Sequence, residues 1–352
     1  MAAPTGISLD ELALAARNHG LPLETLRDPI TPLGLHYLLI HFDIPLVDAD
    51  AWRLRLGGLV ERPLALTLAE LQARPARTLP VTLECAGNGR AFLEPRAESQ
   101  PWLSEAVGTA EWTGTPLAPL LEEAGLLDDA LEVVFTGLDR GFQGGVEHDY
   151  ARSLPVSEAL RGDVLLAYAI NRQPLPPQHG YPLRLIVPGW YGMTHVKWLA
   201  EISVVAEPFR GWQQEDAYRI HESEDDPGTP VTRMLPRSLL IPPGIPDFMT
   251  RARFLEAGPC QLAGRAWSGF APVERVEVSV DGGTTWEDGI LEESLGDFAW
   301  RGWRFDWDAR PGEHVLSCRA TDGAGNVQPL DPVWNLGGYC NNAVQRVHVT
   351  VA

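Results

Sequence analysis

A single cysteine and an arginine stand close together in the glycine-rich stretch 81–90, which reads Val-Thr-Leu-Glu-Cys-Ala-Gly-Asn-Gly-Arg. The first residues have the composition of a buried strand end, and the glycines after Cys85 let a bulky ligand approach the backbone closely. Arg90 supplies positive charge, which favours the thiolate, the form of cysteine that binds a soft metal or attacks an electrophile. The stretch therefore predicts a thiolate site, with a small buried hydrophobe beside a turn as the alternative.

Further motifs follow this stretch in a fixed order. They are Trp102 with Thr109-Ala110-x-Trp112-x-Gly114, Tyr150-x-x-Ser153-Leu154-Pro155, Leu165-Leu166-Ala167-Tyr168, Gln173-Pro174-Leu175-Pro176, His179-Gly180-x-Pro182-x-Arg184, Val187-Pro188-Gly189 and His195-Val196-Lys197-Trp198. Together with Cys85-Ala86-Gly87-Asn88 and Arg90, this succession resembles the sulfite oxidase family of molybdopterin-dependent oxidoreductases over almost the whole chain.

The resemblance implies that Cys85 is the one protein ligand to a molybdenum atom, whose other sulfur ligands come from the dithiolene of a pterin cofactor, molybdopterin. A soft thiolate suits such a metal site, and coordination keeps the sulfur deprotonated. Because no side chain accepts a pair of electrons, the cofactor carries the redox chemistry and the protein orients it. The sequence contains no Cys-x-x-Cys-His motif, so we expect no c-type haem in this chain.

The resemblance also implies roles for basic and hydroxyl side chains. Three residues match positions that bind a small anionic sulfur substrate through charge-assisted hydrogen bonds: Arg90, Tyr150 and Arg346. Five residues match positions that hold the pterin and its phosphate: His41, His179, Arg184, His195 and Lys197. The alternatives are a strand arginine paired with a carboxylate for Arg346 and a structural hydrogen bond for each histidine.

One departure from the family pattern concerns the substrate. Leu39 stands where animal members carry an arginine, two residues before His41. Losing a guanidinium forfeits about 1.5 to 3 kcal/mol per charged hydrogen bond, enough to weaken sulfite binding about tenfold. Two enzymatic hypotheses therefore stay open: oxidation of sulfite to sulfate with electrons passed to a separate acceptor, or the same cofactor acting on another sulfur species or as a reductase. A non-catalytic binding protein is the third hypothesis.

The charge balance limits the partners. The chain carries 47 acidic and 28 basic side chains and a net charge of −19, which argues against a nucleic-acid partner. An anion-binding site in this chain must therefore contain enough arginine and lysine to overcome the repulsion from the excess acidic side chains. No apolar run approaches the roughly 18 residues of a membrane helix, and the first twenty residues lack a signal-peptide pattern. We therefore expect a cytoplasmic protein without a membrane partner.

The remaining patterns predict the elements that position these residues. Ser8-x-x-Glu11 and Thr67-x-x-Glu70 are capping boxes that open short helices, and Pro116 to Glu123 is typical of a helix closed by Gly125. Apolar strands are predicted at 52–60, 131–138, 164–170 and 183–187. Because these elements show no repeating βαβ rhythm, the sequence favours an α+β domain with a mixed architecture over a doubly wound sheet.

The composition changes at the charged stretch 221–230, which has the character of an exposed linker. Beyond it, apolar alternation at 276–280, 314–320 and 344–351 predicts an all-β sandwich. The family resemblance extends here and implies an immunoglobulin-like dimerisation domain and a homodimer. We therefore predict domains at 1–228 and 229–352. Cys260 and Cys318 could lie on facing strands, and a reduced buried pair is favoured over a disulfide.

Overall fold

The computed structural model describes residues 6–352, which form two compact units. Unit 1 contains residues 6–37, 80–109 and 233–352, and unit 2 contains residues 38–79 and 110–232. The last change of unit, after Thr232, lies close to the predicted boundary at 228/229. The segment that carries Cys85, however, groups with the C-terminal residues, which the sequence pattern does not indicate.

The α-helices are short. Within residues 6–352 they are α1 Leu9–Arg17, α2 Leu68–Gln72, α3 Ala118–Ala124, α4 Val156–Ala159 and α5 Trp212–Glu215. Both predicted capping boxes are present: Ser8 and Thr67 accept the backbone N–H of Glu11 and Glu70, whose carboxylates bond back to the cap residues. The predicted third helix ends at Gly125. None of the helices in the described residues is long and apolar enough to cross a membrane.

Twelve strands precede Thr232 in the described chain. They are β1 Leu54–Gly58, β2 Leu64–Leu66, β3 Arg77–Glu84, β4 Val107–Pro116, β5 Glu132–Gln143, β6 Val146–Pro155, β7 Leu165–Ile170, β8 Gln173–Pro174, β9 Arg184–Ile186, β10 Leu199–Val205, β11 Arg219–Ile220 and β12 Thr229–Pro230. One sheet has the order β2-β1-β10-β5-β6, in which only β1 and β10 are parallel, and a second has the order β3-β4-β7-β8 with β9 beside β7.

The core of unit 2 is formed by alternate residues of these strands and one face of α3. Leu54, Leu56, Phe135, Leu120 and Ile202 are all buried in one hydrophobic cluster. Period-two burial along a strand is what the pleat produces when one face packs on a core. Mixed, mostly antiparallel sheets with short helices confirm the predicted α+β class.

The stretch predicted as an exposed linker is a hairpin. Residues 219–220 pair with 229–230 in β11 and β12, and the Asp226 carboxylate accepts the backbone N–H groups of Glu222 and Gly228. These two bonds lower the pKa of Asp226. The stretch is largely exposed, as predicted, but the aspartate closes it into a turn.

Ten strands follow Arg233. They are β13 Arg237–Leu240, β14 Ile245–Pro246, β15 Arg253–Leu255, β16 Gly258–Trp267, β17 Val273–Ser279, β18 Glu287–Asp288, β19 Ile290–Leu291, β20 Arg301–Ala309, β21 Gly312–Asp322 and β22 Val347–Val351. They form two sheets, β13-β16-β20-β19 and β14-β15-β22-β21-β17-β18. Leu262 and Trp303 from the first sheet pack with Val276, Leu316 and Val349 from the second, so the predicted sandwich is confirmed.

Two cysteines and several tryptophans of unit 1 lie in or near its core. Cys318 is fully buried and Cys260 partly buried, and both are free thiols. Burial raises the pKa of Cys318 to about 12, so this thiol is unreactive. Trp267, Trp300 and Trp303 are buried, as the sequence predicts for core residues.

The buried Glu11 of α1 forms an ion pair with Arg96, whose hydrogen bond lowers the pKa of Glu11 from 4.5 to about 2. Because the folded-state pKa is depressed, the stabilisation is complete above pH 4.5 and is lost as the pH falls through about 2. We expect Glu11→Gln to lower the melting temperature at neutral pH, and the gap from the wild type to close as the pH approaches 2. Thermal unfolding followed by circular dichroism across this range measures the gap.

The control is Asp10→Asn, which changes the same charge on an exposed neighbour in the first turn of α1. It should show little difference from the wild type at either end of the range. A gap for Glu11→Gln that stays constant with pH would mean that the ion pair does not stabilise this helix.

Candidate functional site

The Cys85 loop, defined as residues 85–90, begins where β3 ends. The backbone N–H of Cys85 donates to the Ala106 carbonyl at 2.9 Å, and the N–H of Asn88 donates to the Cys85 carbonyl at 2.9 Å. The Cys85 side chain is 6% exposed. The loop is therefore a closed turn with its backbone bonds satisfied, and it holds the sulfur in one place.

A buried ion pair fixes this loop to the sandwich of unit 1. The Glu84 carboxylate accepts hydrogen bonds from Arg237 Nη1 at 2.9 Å, Asn88 Nδ2 at 2.9 Å and Trp267 Nε1 at 2.8 Å. Arg237 Nη1 also donates to the Asn341 carbonyl at 3.0 Å. All five of these residues are at most 3% exposed: Glu84, Arg237, Asn88, Trp267 and Asn341. Because water does not reach the charges of Glu84 and Arg237, both depend on these hydrogen bonds.

Two backbone contacts extend the attachment. The Cys340 N–H donates to the Ala86 carbonyl at 2.7 Å, and Asn341 Nδ2 donates to the Gly89 carbonyl at 2.7 Å. Residues 340–341 therefore bind both sides of the turn that follows Cys85. Sequence reasoning missed Glu84 and Arg237; the only local signal is a carboxylate placed directly before the cysteine on an apolar strand.

The surroundings of the Cys85 thiol have opposing effects on its pKa. Burial raises the pKa, while a hydrogen bond from the Gly87 backbone, the positive charge of Arg90 and the Trp102 side chain lower it. The net pKa is above the ordinary value, so the protein by itself keeps this thiol protonated. A bound metal cation would ionise it, because coordination replaces the proton.

Arg90 is fixed in position by its neighbours. Its Nε donates to the Gly337 carbonyl at 3.0 Å and its Nη1 to the Gln100 carbonyl at 3.3 Å, and its guanidinium lies 5.0 Å from the Tyr339 ring centroid. A side chain at Gly87 would collide with this guanidinium, since a Cβ there would lie 2.6 Å from Nη1. Glycine at 87 is therefore what lets the arginine fold back over the Cys85 loop.

In unit 2, four of the predicted cofactor-binding residues come together. Arg184 donates to the carbonyls of His179 at 3.2 Å and His195 at 3.3 Å, and its guanidinium lies 4.6 Å from the Trp112 ring centroid. Lys197 Nζ donates to the Leu39 carbonyl at 2.7 Å. This basic cluster, Arg184 and Lys197 with the two histidines, is built from strand β9 and its flanking loops.

The ring nitrogens of His195 are used by the backbone. The Val187 N–H donates to Nδ1 at 3.1 Å, which makes Nε2 the protonated nitrogen, and Nε2 lies 3.0 Å from the Trp190 carbonyl. These contacts match the structural alternative for this histidine. Its predicted role at the cofactor stays a prediction.

Asp139 lies beside the basic cluster and was missed by sequence reasoning. It is 4% exposed, and its Oδ1 has no hydrogen-bond partner in the described chain. Burial raises the pKa of Asp139, and burial together with the charge of Arg184 lowers the pKa of Lys197. A buried carboxyl oxygen without a donor can accept a hydrogen bond from a ligand N–H group. No sequence pattern marks it, because it is a lone aspartate on a strand.

His41 contacts two tyrosines. Its Nε2 lies 2.6 Å from the Tyr218 hydroxyl, and its ring centroid is 4.8 Å from that of Tyr150. The Tyr150 hydroxyl donates to the Met193 carbonyl at 2.7 Å. Tyr218, which sequence reasoning did not select, thus places its hydroxyl on the imidazole, and its backbone φ of 54° is strained for a bulky residue.

Arg346 lies immediately before β22 in unit 1. Its Nη2 donates to Asp331 Oδ1 at 2.9 Å and to the Leu330 carbonyl at 3.2 Å, and its side chain is 43% exposed. The structure therefore shows the carboxylate pairing that was the alternative for this residue. Its role with substrate stays a prediction.

The Cys85 loop in unit 1 and the basic cluster in unit 2, each taken by itself, have the chemistry that parts of a molybdenum–pterin group require. Among the described residues no cluster of three or more His, Cys, Asp or Glu side chains can hold a metal ion by itself, so a metal at Cys85 needs ligands that the protein does not supply. A dithiolene supplies soft sulfur ligands of the kind that suit a thiolate. The basic cluster suits a phosphate, and Asp139 Oδ1 suits ring N–H donors.

Comparisons with known proteins define the class. The oxidoreductase molybdopterin binding domain matches residues 41–213, and the Mo-co oxidoreductase dimerisation domain matches residues 238–352. The crystal structure of the sulfane dehydrogenase SoxCD from Paracoccus pantotrophus matches 99% of this chain and 92% of that chain, with a TM-score of 0.82 and 27% identity.

The sequences of curated relatives identify the family. Sulfite oxidase of Gallus gallus is 36% identical over 341 residues, covering 90% of this chain and 72% of that protein. Mitochondrial sulfite oxidase of Mus musculus is 37% identical over 342 residues, covering 92% of this chain and 62% of that protein. The chain belongs to the sulfite oxidase family of molybdopterin-dependent oxidoreductases, and it spans about 62% of the length of its mammalian relatives.

Removing one partner of the buried ion pair should destabilise the contact between the Cys85 loop and the sandwich. We expect Arg237→Met to lower the free energy of unfolding by about 3 to 5 kcal/mol, because it leaves the Glu84 charge buried and uncompensated. The double variant Glu84→Gln, Arg237→Met should recover part of this loss, since no charge then remains. Urea unfolding measures both effects.

Arg310→Met is the matched control, because Arg310 also pairs with a carboxylate but its side chain is 84% exposed. A surface pair of this kind contributes within about 1 kcal/mol. Equal losses for Arg237→Met and Arg310→Met, or no recovery in the double variant, would show that the buried pair does not hold the loop.

Proposed function

We propose that this protein is a molybdenum-dependent oxidoreductase that oxidises a sulfur donor, with sulfite as the simplest substrate. The observation that carries the proposal is the Cys85 loop: one buried thiol, locked by the Glu84–Arg237 pair, beside an arginine held against Gly87. The net reaction converts sulfite and water to sulfate, two protons and two electrons. In this proposal the electrons leave to a separate acceptor.

The protein's contribution is binding, orientation and charge. When bound, the molybdenum–pterin group supplies the two-electron redox change that side chains lack. Cys85 is the thiolate ligand, and the basic cluster with Asp139 holds the organic part of the cofactor. Arg90 binds the substrate anion through its guanidinium, and its two carbonyl contacts fix the direction of that guanidinium in advance.

His41 and Tyr218 are suited to handle a proton. Their 2.6 Å contact joins a hydroxyl to an imidazole nitrogen, and a hydrogen bond of this kind is a path along which a proton can move between Oη and Nε2. Oxidation of sulfite, with water as the source of the added oxygen, releases two protons, so a pair of this kind has a use in the proposed reaction. Tyr218 is buried, which keeps bulk water from replacing it.

A different sulfur species is the second candidate substrate. Leu39 offers its backbone carbonyl to Lys197 and has no guanidinium for an anion, and the structural relative SoxCD is described as a sulfane dehydrogenase. The first observation favours a donor less highly charged than sulfite, and the second favours a sulfur species other than sulfite. Homodimer formation through residues 238–352 is proposed from the dimerisation domain match, and a cytoplasmic location stays a prediction.

Metal analysis with a sulfite assay tests the proposal. Protein produced in a cofactor-competent host should contain stoichiometric molybdenum and reduce an artificial acceptor with sulfite. Cys85→Ser should lose turnover, because a hydroxyl is a poor ligand for a soft site, while the dithiolene of the pterin still retains the metal. Arg90→Lys should keep the metal and raise the KM, because an ammonium does not reproduce the fixed guanidinium fork.

Cys260→Ser is the control, since this thiol lies on β16 of the sandwich and is partly exposed. It should match the wild type in metal content and rate. Absence of molybdenum from the wild type, or turnover by Cys85→Ser equal to that of the wild type, would exclude the proposed function. Full metal content without sulfite turnover would leave the second candidate.

A further inference from the structure

A groove of about 1230 Å³, called here the unit 1 groove, lies on the surface of unit 1. Its walls come mainly from the segments 15–24, 100–105, 250–253 and 341–348. Pockets that hold drug-sized ligands measure about 300 to 1,000 Å³. The groove is therefore larger than a small molecule needs, and its size suits a segment of another polypeptide chain.

Large apolar side chains are exposed along the rim of the unit 1 groove. Phe92 and Leu103 line it and are 54% and 50% exposed. Phe248 and Met249, directly before the lining residue Thr250, are 85% and 81% exposed. Exposed apolar residues that gather around one depression mark an interaction surface, whereas single scattered ones need no explanation. The rim therefore has the character of a surface that another protein covers.

The turn that carries Phe248 and Met249 is closed by Asp247. One oxygen of the Asp247 carboxylate accepts the N–H of Met249 at 3.1 Å, the N–H of Thr250 at 2.8 Å and the Thr250 hydroxyl at 2.7 Å. A surface whose backbone is already fixed loses less conformational entropy when a partner binds. The turn therefore presents its two apolar side chains in a form that is ready to pack against a partner.

The charges in the unit 1 groove favour an acidic partner. Two copies of a chain that each carry a net charge of −19 repel one another, so they can meet only at a face without the acidic excess. The acidic and basic residues that line the groove are two glutamates and four arginines. Two of these arginines, Arg251 and Arg253, bond to Glu24 at 3.3 and 2.8 Å. The groove therefore meets the electrostatic condition for contact with a second copy.

The homodimer proposed above identifies the occupant. The dimerisation domain match covers residues 238–352, which include the lining segments 250–253 and 341–348. A stable protein interface buries about 800 Å² on each partner. A large groove with an apolar rim provides a surface of this kind, and a two-fold contact uses the same surface on both copies. A second copy therefore fits the groove better than an unrelated protein.

One wall of the unit 1 groove is bonded to the Cys85 loop and to the residue that follows it. Trp102 lines the groove, and its carbonyl accepts the Ala91 N–H at 3.0 Å. Ser104 also lines the groove, and its carbonyl accepts Asn88 Nδ2 at 3.2 Å. Both lining residues lie outside the matched dimerisation domain. A partner in the groove would therefore contact the wall that supports the Cys85 loop.

We propose that the unit 1 groove is the face through which two copies of this chain pair, with the turn that carries Phe248 in each copy packed against the apolar rim of the other. The proposal rests on the homodimer of the proposed function and names its surface. That surface extends beyond residues 238–352 to Phe92 and Leu103. The turn and the groove lie on one face, so each copy both supplies the turn and receives it.

Sedimentation equilibrium of the purified holoenzyme tests the proposal. We expect the wild type to be a dimer at micromolar concentration, and Phe248→Glu to raise the dimer dissociation constant about thirtyfold or more, because it places a charge against an apolar surface. Leu103→Glu, outside the matched domain, should have the same effect. Both side chains are at least half exposed, so the variants should keep the melting temperature of the wild type.

Phe142→Glu is the matched control, because it makes the same substitution at an aromatic side chain that is 71% exposed and lies in unit 2. It should leave the dissociation constant unchanged. A monomeric wild type, with or without an organic molecule retained in native mass spectrometry, would overturn the inference.

The variants separate the remaining outcomes. A dimer that both Phe248→Glu and Leu103→Glu leave intact would overturn the inference and support a homodimer formed through another surface. A dimer that only Phe248→Glu dissociates would overturn the extension beyond the matched domain. Protein that lacks molybdenum but forms a dimer sensitive to both substitutions would overturn the proposed enzymatic function and support the inference.

Discussion

The buried ion pair between Glu84 and Arg237 is the constraint on which the candidate site depends. Two charges removed from water are tolerated only when their partners are in place, and Asn88, Trp267 and the Asn341 carbonyl supply those partners. The carboxylate is covalently next to Cys85. The thiol therefore cannot move without disturbing this pair, and the segment 80–109 belongs to the same compact unit as the sandwich.

A protein with a net charge of −19 needs a special arrangement to hold anions. Arg90, Arg184 and Lys197 each donate to backbone carbonyls. A carbonyl fixes the direction of a cation without cancelling its charge, whereas a carboxylate neutralises it, as Asp331 does for Arg346. Carbonyl partners thus fix these side chains without a carboxylate on the same atoms, which a ligand-binding role for them requires.

Leu39 stands where the family pattern has an arginine, and it contributes only its backbone carbonyl to Lys197 in unit 2. A carbonyl fixes the direction of the ammonium group and adds no positive charge of its own. The second candidate substrate rests on this departure.

The sequence by itself determined the features that depend on residues close together in the chain: both capping boxes, the alternation of the sandwich strands and the turn after Cys85. It also determined the family, through the order of the motifs. Only the tertiary structure decided which residues meet across long separations. Glu84 and Arg237 are 153 residues apart, and His41 and Tyr218 are 177 apart. Local patterns arise because helices and strands repeat over a few residues. A hydrogen bond between distant segments depends on how whole sheets pack. Because packing produces no repeating pattern in the sequence around either residue, such a bond could not be predicted.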